Sequence, residues 1–108
     1  MGKASQIRLS TQTLKVLGAL ISDADKRFSG VEIARDTQLL SGTLYPILFR
    51  LERVGWVESQ WEDRDPHELG RPRRRCYRIT GLGARSARRA FQDLVSSIRG
   101  LAWQRSYA

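Results

Sequence analysis

The chain has 108 residues, and its 19 Lys and Arg against 11 Asp and Glu give a net charge of +8. This length fits one domain with a small core, and so small a domain favours association between copies. A single cysteine and a single histidine exclude an internal disulfide, a multi-cysteine zinc site and most histidine-based catalysis. No apolar run approaches the roughly 18 residues needed to cross a bilayer, and Met1 to Ser10 lacks the apolar stretch of a signal peptide. We therefore expect a cytoplasmic binding protein without a metal or cofactor.

The positive charge is concentrated at the carboxyl end of the chain. Residues 71–108 contain ten Arg and one acid, whereas residues 56–70 contain one Arg and five acids. A block this basic favours a polyanionic partner, nucleic acid before an anionic membrane. The alternative interpretation is a solvated, Arg-rich helix face.

The first two predicted elements are helices. The first spans Ser10 to Ile21, because apolar or small residues recur at helical spacing: Leu14, Leu17, Gly18 and Ile21. The second opens at Ser29, which has the spacing of a capping box with Glu32, and runs to about Thr37. Its apolar side is predicted from three residues: Val31, Ile33 and Ala34. Residues 38–40 then form a tight turn.

A third helix is predicted from Ser41, as its N-cap, to about Val54. Its apolar stripe contains five residues: Leu44, Ile47, Leu48, Leu51 and Val54. Pro46 lies near the first turn, where the loss of a backbone N–H costs little. Gly55 ends this helix as a C-cap residue.

After Gly55 the period changes to that of a β-hairpin. The first strand covers residues 56–62, with Val57, Ser59 and Trp61 on one face. A turn-rich, charged loop follows over residues 63–72. The second strand covers residues 73–79, with Tyr77 and Ile79 sharing a face.

Thr80 is predicted to cap a long final helix. One continuous apolar stripe runs along it: Ala87, Phe91, Leu94, Val95, Ile98, Leu101 and Ala102. Too little chain remains to cover that stripe, which favours a second copy over packing against its own domain.

The order helix, helix, tight turn, helix, hairpin, helix predicts a winged helix-turn-helix, mainly α with a small β component (α+β). We expect a flexible segment over 1–9, the DNA-binding domain over 10–80 and a C-terminal dimerisation helix over 81–108. In this fold the second helix of the helix-turn-helix enters the DNA major groove, and the hairpin is the wing.

Particular strings sharpen that prediction. The chain reads SGTLYPIL over 41–48, RLE over 50–52, GWV over 55–57, GRPRR over 70–74 and YRIT over 77–80. Over about residues 10–83 it resembles the PadR family of bacterial transcriptional regulators. It departs from the common pattern at Val31, Gln38 and Phe49, which affects the expected DNA sequence preference and leaves the expected fold intact.

The resemblance implies a DNA-binding regulator of the repressor type, in the short form with a single C-terminal helix that forms the dimer interface. The expected interface residues are Phe91, Leu94, Val95, Ile98, Leu101 and Ala102. Some short members bind flat hydrophobic effectors between dimer helices. This suggests an effector pocket at Phe91 and Trp103, with plain interface packing as the alternative.

The expected DNA contacts come from the third helix and the wing. They are Ser29, Ser41, Thr43, Tyr45, Pro46, Arg50, Arg53, Arg71, Arg73 and Arg74. Some have structural alternatives, since Tyr45 suits a partly buried ring, and Arg50 and Arg53 suit surface pairs with Glu52. Phe49 either touches a thymine methyl or packs against the second helix.

These features predict a sequence-specific regulator that binds double-stranded DNA, a homodimer on a near-palindromic operator with its recognition helices about 34 Å apart. Two alternatives stay open: a nonspecific nucleic-acid-binding protein, and a winged-helix module that binds another protein. An enzyme is not expected, because no nucleophile, base and orienting group can be assembled.

Overall fold

The computed structural model describes residues 9–107, with side chains to residue 101. Its helices are α1 (Thr11–Ile21), α2 (Gly30–Thr37), α3 (Ser41–Arg53), α4 (Pro66–Leu69) and α5 (Gly81–Tyr107), and its strands are β1 (Phe28–Ser29), β2 (Val57–Trp61) and β3 (Arg75–Ile79). This arrangement confirms the predicted fold class, a winged helix-turn-helix followed by a long C-terminal helix. Within the described part of the chain, no helix combines the length and the apolar character that crossing a membrane requires.

Helix α1 lies at the centre of the core, and its buried face is rotated from the predicted one, with which it shares Leu17. Val16, Leu17 and Leu20 are fully buried, whereas Leu14 and Ile21 are only partly covered. The predicted stripe was wrong by part of a turn, because both faces of this helix carry apolar residues and periodicity alone does not choose between them. Thr13 joins the buried face, and its backbone N–H donates to the Ser10 hydroxyl at 3.2 Å.

Helix α2 confirms the predicted capping box. The Glu32 backbone N–H donates to the Ser29 hydroxyl at 3.1 Å, and the Ser29 backbone N–H donates to the Glu32 carboxylate at 3.1 Å. The helix ends at Gln38, which adopts the left-handed region with φ of 61°. Val31, predicted on its apolar side, is exposed, whereas Ile33 is fully buried. Ile33 therefore ties α2 to the core.

Helix α3 begins one residue earlier than predicted. Leu40, extended and without a side-chain cap, is the N-cap residue, and Ser41 is the first helical residue. Pro46 therefore lies inside the helix, in its second turn rather than its first. The predicted stripe is otherwise confirmed, with Val54 only partly buried and four residues fully covered: Leu44, Ile47, Leu48 and Leu51.

The hairpin of β2 and β3 is present and belongs to a three-stranded antiparallel sheet in the order β1-β3-β2. Tyr77 and Ile79 are buried on one face, as predicted. Strand β1 was not predicted; in it, Phe28 lies opposite Tyr77. Two residues are too few to show a strand period, so only the tertiary pairing defines this strand.

The tip of the hairpin contains one helical turn, α4, where the sequence suggested only a loop. The Asp65 side chain accepts from the His67 backbone N–H at 2.9 Å, and Pro66 occupies the first helical position. Both are helix-start signals. Gly70, with φ of 67°, then reverses the chain toward β3.

Helix α5 starts against the turn between α3 and β2. Its predicted cap is confirmed, since the Thr80 hydroxyl accepts from the Gly83 backbone N–H at 3.0 Å. The Thr80 backbone N–H donates to the Trp56 carbonyl at 2.9 Å. Ala84 and Ala87 are buried, and Phe91 packs partly against the core. With 27 residues the helix is about 40 Å long, and it extends well past the domain that anchors it.

Candidate nucleic-acid interface

Helix α3 separates a buried face from an exposed one. Its first three residues, Ser41 to Thr43, are all exposed, and Leu44 is fully buried behind them. Further along, the exposed residues are Tyr45, Pro46, Phe49, Arg50 and Arg53. All the predicted contact residues of this helix therefore lie on its solvent side.

Tyr45 connects α3 to the start of α2. Its side chain is 43% exposed, and its ring lies so close over Gly30 that a β-carbon there would overlap the phenol. Gly30 is therefore required for this approach. The contact leaves the Tyr45 ring partly covered, in agreement with the structural alternative.

Ser29 occupies a more enclosed position than the other candidate residues. It is 4% exposed, and the capping box engages both its hydroxyl and its backbone N–H. Its polar groups thus stabilise the start of α2.

Phe49 projects from α3 into solvent, with 62% of the residue exposed. The Arg53 guanidinium lies 5.8 Å from the centre of its ring, a cation–π distance. Both residues line a groove of about 560 Å³ between α3 and the sheet, whose other walls are Tyr45, Glu52, Arg75 and Tyr77. This groove continues the exposed face of α3 toward the wing.

The predicted wing arginines have different environments. Arg71 forms two hydrogen bonds with the Glu62 carboxylate, at 2.7 and 3.1 Å. Arg73 is exposed, and its Nε donates to the Arg64 carbonyl at 3.0 Å. Arg74 uses its backbone N–H, which donates to Glu62 at 2.7 Å. Arg71 is thus the most constrained of the three guanidinium groups.

These contacts make Glu62 an unusually stable anion. The hydrogen bonds from the Arg71 guanidinium, followed by that from the Arg74 backbone N–H, lower the pKa of Glu62 from 4.5 to about 2. Conversely, Glu62 raises the pKa of Arg71. Both groups are therefore charged at neutral pH.

Wing and helix-turn-helix enclose a second groove, of about 400 Å³. Gly30 and Val31 of α2 and Tyr45 of α3 form one side, and Arg73 and Arg74 lie on the other. The fold thus brings the predicted residues of the recognition helix and two of the wing arginines to one continuous surface.

Arg75 was not among the predicted contact residues, although it lies between the two grooves. Its Nε donates to the Ser59 hydroxyl at 2.9 Å, and its guanidinium lies 3.7 Å from the Glu52 carboxylate. The same group lies 5.5 Å from the centre of the exposed Trp61 ring. The run of arginines at the start of an alternating strand was a sequence signal for Arg75. Its partners Ser59, Glu52 and Trp61 are brought together only by the fold.

The C-terminal helix exposes most of its predicted stripe. The exposed fraction rises from 44% at Leu94 to 60% at Leu101, with Val95 and Ile98 between them. Phe91 differs, because its ring packs toward Gly18 of α1 while also lining a shallow depression of about 290 Å³ with Val95 and Arg99. The side chains of Ala102 and Trp103 lie outside the described residues.

Among the described residues, no three His, Cys, Asp or Glu side chains are grouped to hold a metal ion. Cys76 is partly buried on β3, and this burial raises the pKa of its thiol.

The three helices, the antiparallel sheet and the wing together define a winged helix-turn-helix protein with its recognition helix exposed. The transcriptional regulator PadR-like family matches residues 19–89, about two thirds of the chain. The chain belongs to this family of transcription regulators, as its sequence motifs predicted. None of the curated proteins compared with it matches the sequence.

Several solved structures share this fold. A PadR family regulator from Clostridium difficile has a TM-score of 0.70 at 23% identity, covering 88% of this chain and 97% of its own. Staphylococcus aureus MepR in complex with DNA has a TM-score of 0.66 at 18% identity, and the match covers 96% of this chain and 78% of MepR. AbfR of Staphylococcus epidermidis has a TM-score of 0.67 at 24% identity, and the match covers 88% of this chain and 59% of AbfR. At these identities the likeness establishes the fold alone.

Proposed function

We propose that this protein is a homodimeric transcriptional repressor that recognises a near-palindromic operator in double-stranded DNA. The observation that carries the proposal is the shared surface of α3 and the wing. The exposed start of α3 at Ser41 to Thr43 suits base edges, while Arg73 and Arg74 lie across the adjoining groove. Repression would follow from occupying the operator in competition with RNA polymerase. Both family membership and the MepR–DNA complex, which has this fold, support DNA as the partner.

The residues of this surface suit two kinds of DNA contact. Thr43 is short, polar and exposed near the amino end of α3, where base edges are reached in helix-turn-helix docking. Arg50 and Arg53 lie in the last turns of α3 and suit phosphates. The Tyr45 hydroxyl lies against Gly30 at the start of α2, and there it would donate to a phosphate of the DNA backbone.

A second copy of the chain is the proposed partner of α5. Leu94, Ile98 and Leu101 are spaced to share one face of the helix and are all exposed. An apolar stripe of this length is uncommon on a monomer surface. Pairing two such helices would bury it and would set two recognition helices at a fixed separation, as a palindromic operator requires.

An effector site on α5 is a secondary part of the proposal. The depression beside Phe91 contains Val95 and the Arg99 side chain, and Trp103 follows one helical turn after Arg99. A flat aromatic compound would be held there between two copies. A thermal-shift and tryptophan-quenching screen of aromatic compounds tests this part, and no response across a broad panel would refute it.

Selection from a pool of random duplexes at physiological salt tests the main proposal. The unmodified protein should enrich a near-palindromic sequence. Thr43→Ala should change the base preference, and Arg73→Ala should weaken binding to all sequences evenly and reduce the salt slope by about 0.9. Arg88→Ala is the charge-matched control, because Arg88 is exposed on α5 and lines neither groove of this surface. Recovery of no enriched sequence would refute the operator proposal and favour nonspecific binding.

The dimer is tested separately by sedimentation. Ile98→Glu places a charge in the middle of the exposed stripe and should shift the protein from dimer to monomer. Ser97→Glu is the matched control, since Ser97 is exposed beside it but outside the apolar stripe. A monomeric unmodified protein at micromolar concentration would refute the homodimer.

A further inference from the structure

The wing contains a closed set of contacts centred on one acid, Glu62, which directly follows β2. Its Oε1 lies 2.7 Å from a terminal nitrogen of Arg71 and also accepts the Arg74 backbone N–H at 2.7 Å. Its own backbone N–H donates to the Arg74 carbonyl at 3.0 Å. Glu62 thus joins the two ends of the wing tip through both its main chain and its side chain.

Arg71 is bound to the protein by more than this ion pair. One terminal nitrogen donates to the Glu62 carboxylate and also to the Pro72 carbonyl at 3.0 Å, while the other donates to the second carboxylate oxygen at 3.1 Å. A two-point guanidinium–carboxylate pair fixes orientation as well as distance. The donors that would form a fork around a phosphate are therefore already engaged.

The neighbouring arginines are arranged differently. Arg73 uses only its Nε for the contact with the Arg64 carbonyl, and among the described residues its two terminal nitrogens donate no hydrogen bond. The backbone of Arg74 is fixed by Glu62, while its side chain lines the groove that faces Tyr45. The tip contacts therefore hold the chain at Arg73 and Arg74 and leave their guanidinium groups available.

The negative charge of Glu62 in the wing repels DNA. Any contribution of Glu62 to DNA binding must therefore come from the contacts that it makes within the wing. We propose that Glu62 and Arg71 are positioning residues, which hold the wing tip in the shape that presents Arg73 and Arg74 to the DNA backbone. Arg71 acts through Glu62 and does not itself contact DNA. This inference rests on the proposed DNA-binding function and names the residues that give its wing a fixed form.

The proposal predicts that removing Glu62 weakens duplex binding, whereas simple electrostatics predicts that it strengthens it. Glu62→Ala makes the protein more positive by one unit, which by charge alone strengthens duplex binding. Loss of the tip contacts should instead weaken binding by about threefold or more. Glu68→Ala is the matched control: Glu68 lies on α4 of the same wing, is exposed and forms no salt bridge among the described residues. It gives the same charge change without touching the tip contacts, so its binding should stay equal or become stronger.

The experiment compares the unmodified protein, Glu62→Ala, Arg71→Ala, the double variant and Glu68→Ala on one mixed-sequence duplex across a range of salt concentrations. The double variant should bind about as weakly as Glu62→Ala, because either substitution already opens the tip. Arg71→Ala should leave the salt slope within experimental error of that of the unmodified protein, whereas a direct phosphate contact would lower it by about 0.9. Amide hydrogen exchange of the free proteins supplies a readout without DNA, in which Glu62→Ala should speed exchange at Arg74.

Each result decides between the interpretations. Stronger binding by Glu62→Ala, additive losses in the double variant, or unchanged exchange at Arg74 would overturn the positioning role. Absence of duplex binding by the unmodified protein at every salt concentration would refute the proposed function and this inference with it. Duplex binding by the unmodified protein, with equal binding by Glu62→Ala, would refute the positioning role alone.

Discussion

Replacing Gly83 with alanine should destabilise this protein strongly, although the same change usually stabilises a helix. Gly83 lies in the first turn of α5, where its missing side chain lets the helix rest against the backbone of Trp56. A β-carbon at Gly83 would lie 2.8 Å from the Trp56 carbonyl carbon and 2.9 Å from its α-carbon, and would overlap the carbonyl oxygen. These are main-chain atoms, and the Thr80 N–H already holds that carbonyl at 2.9 Å.

The magnitude follows from two opposing effects. Alanine gains up to about 1 kcal/mol over glycine in a helix. Relieving an overlap with fixed backbone requires either α5 or the turn before β2 to shift, and because main-chain atoms must move we take the upper end of the usual cost of overpacking, about 3 kcal/mol. We expect a net loss of about 2 kcal/mol, which for a domain of this size lowers the melting temperature by roughly 10 °C.

Circular dichroism melts at one protein concentration test this, since melting of a dimer depends on concentration. Gly18→Ala is the control: it is also a helical glycine, and its β-carbon would meet only the Phe91 ring at an ordinary 3.8 Å. Gly18→Ala should melt at or slightly above the temperature of the unmodified protein. If Gly83→Ala melts together with Gly18→Ala, the close approach of α5 to Trp56 does not exist in solution.

Three further predictions concern the interface and the sheet. Gly30→Ala should displace the Tyr45 ring and weaken duplex binding with little change in melting temperature, because the obstructing atoms belong to a half-exposed side chain. Unchanged NMR chemical shifts of the Tyr45 ring together with normal binding would contradict this. Because the pKa of Glu62 is lowered to about 2, its contribution to the free energy of unfolding is complete above about pH 4.5 and is lost as the pH falls toward 2. Urea unfolding at several pH values should show this loss, and Glu62→Gln should flatten that part of the pH profile. If Glu62→Gln keeps the acid sensitivity of the unmodified protein, the contact between Glu62 and Arg71 does not stabilise the fold. Cys76 should react with a disulfide reagent more slowly than free cysteine at pH 8, because burial raises the pKa of its thiol; a rate equal to that of free cysteine would show that the thiol is not shielded.

Local signals in the sequence predicted much of the fold. The capping box at Ser29, the stripe of α3 and the alternation of Tyr77 and Ile79 each depend on residues close together in the chain, and each is present in the structure. Strand β1 was missed because only its pairing with β3 defines it. The face of α1 was misassigned because Val16 and Leu20 compete with an equally apolar neighbouring stripe.

The wing shows why the site was harder to predict than the fold. The sequence alone does not distinguish Arg71, Arg73 and Arg74 of the GRPRR string, since each is basic and lies on the same hairpin. The structure distinguishes Arg71, bound to an acid nine residues earlier, from Arg73, bound only through its Nε. Register across the hairpin decides which acid meets which arginine, and a charged tip of this length leaves several registers compatible with the sequence.

The anchoring of α5 at Thr80 and Gly83 makes the helix a lever. Its root is fixed to the domain by the Trp56 carbonyl, and its far end lies about 40 Å away. A rotation of about 5° at the root would displace that end by about 3.5 Å, which is close to the rise of one base pair. In the proposed dimer the far part of α5 is held by the partner copy, so a rotation there displaces the DNA-binding domain instead. A change of a few degrees in how two copies of α5 cross would move each recognition helix by about one base-pair step, enough to alter its fit to a fixed operator spacing.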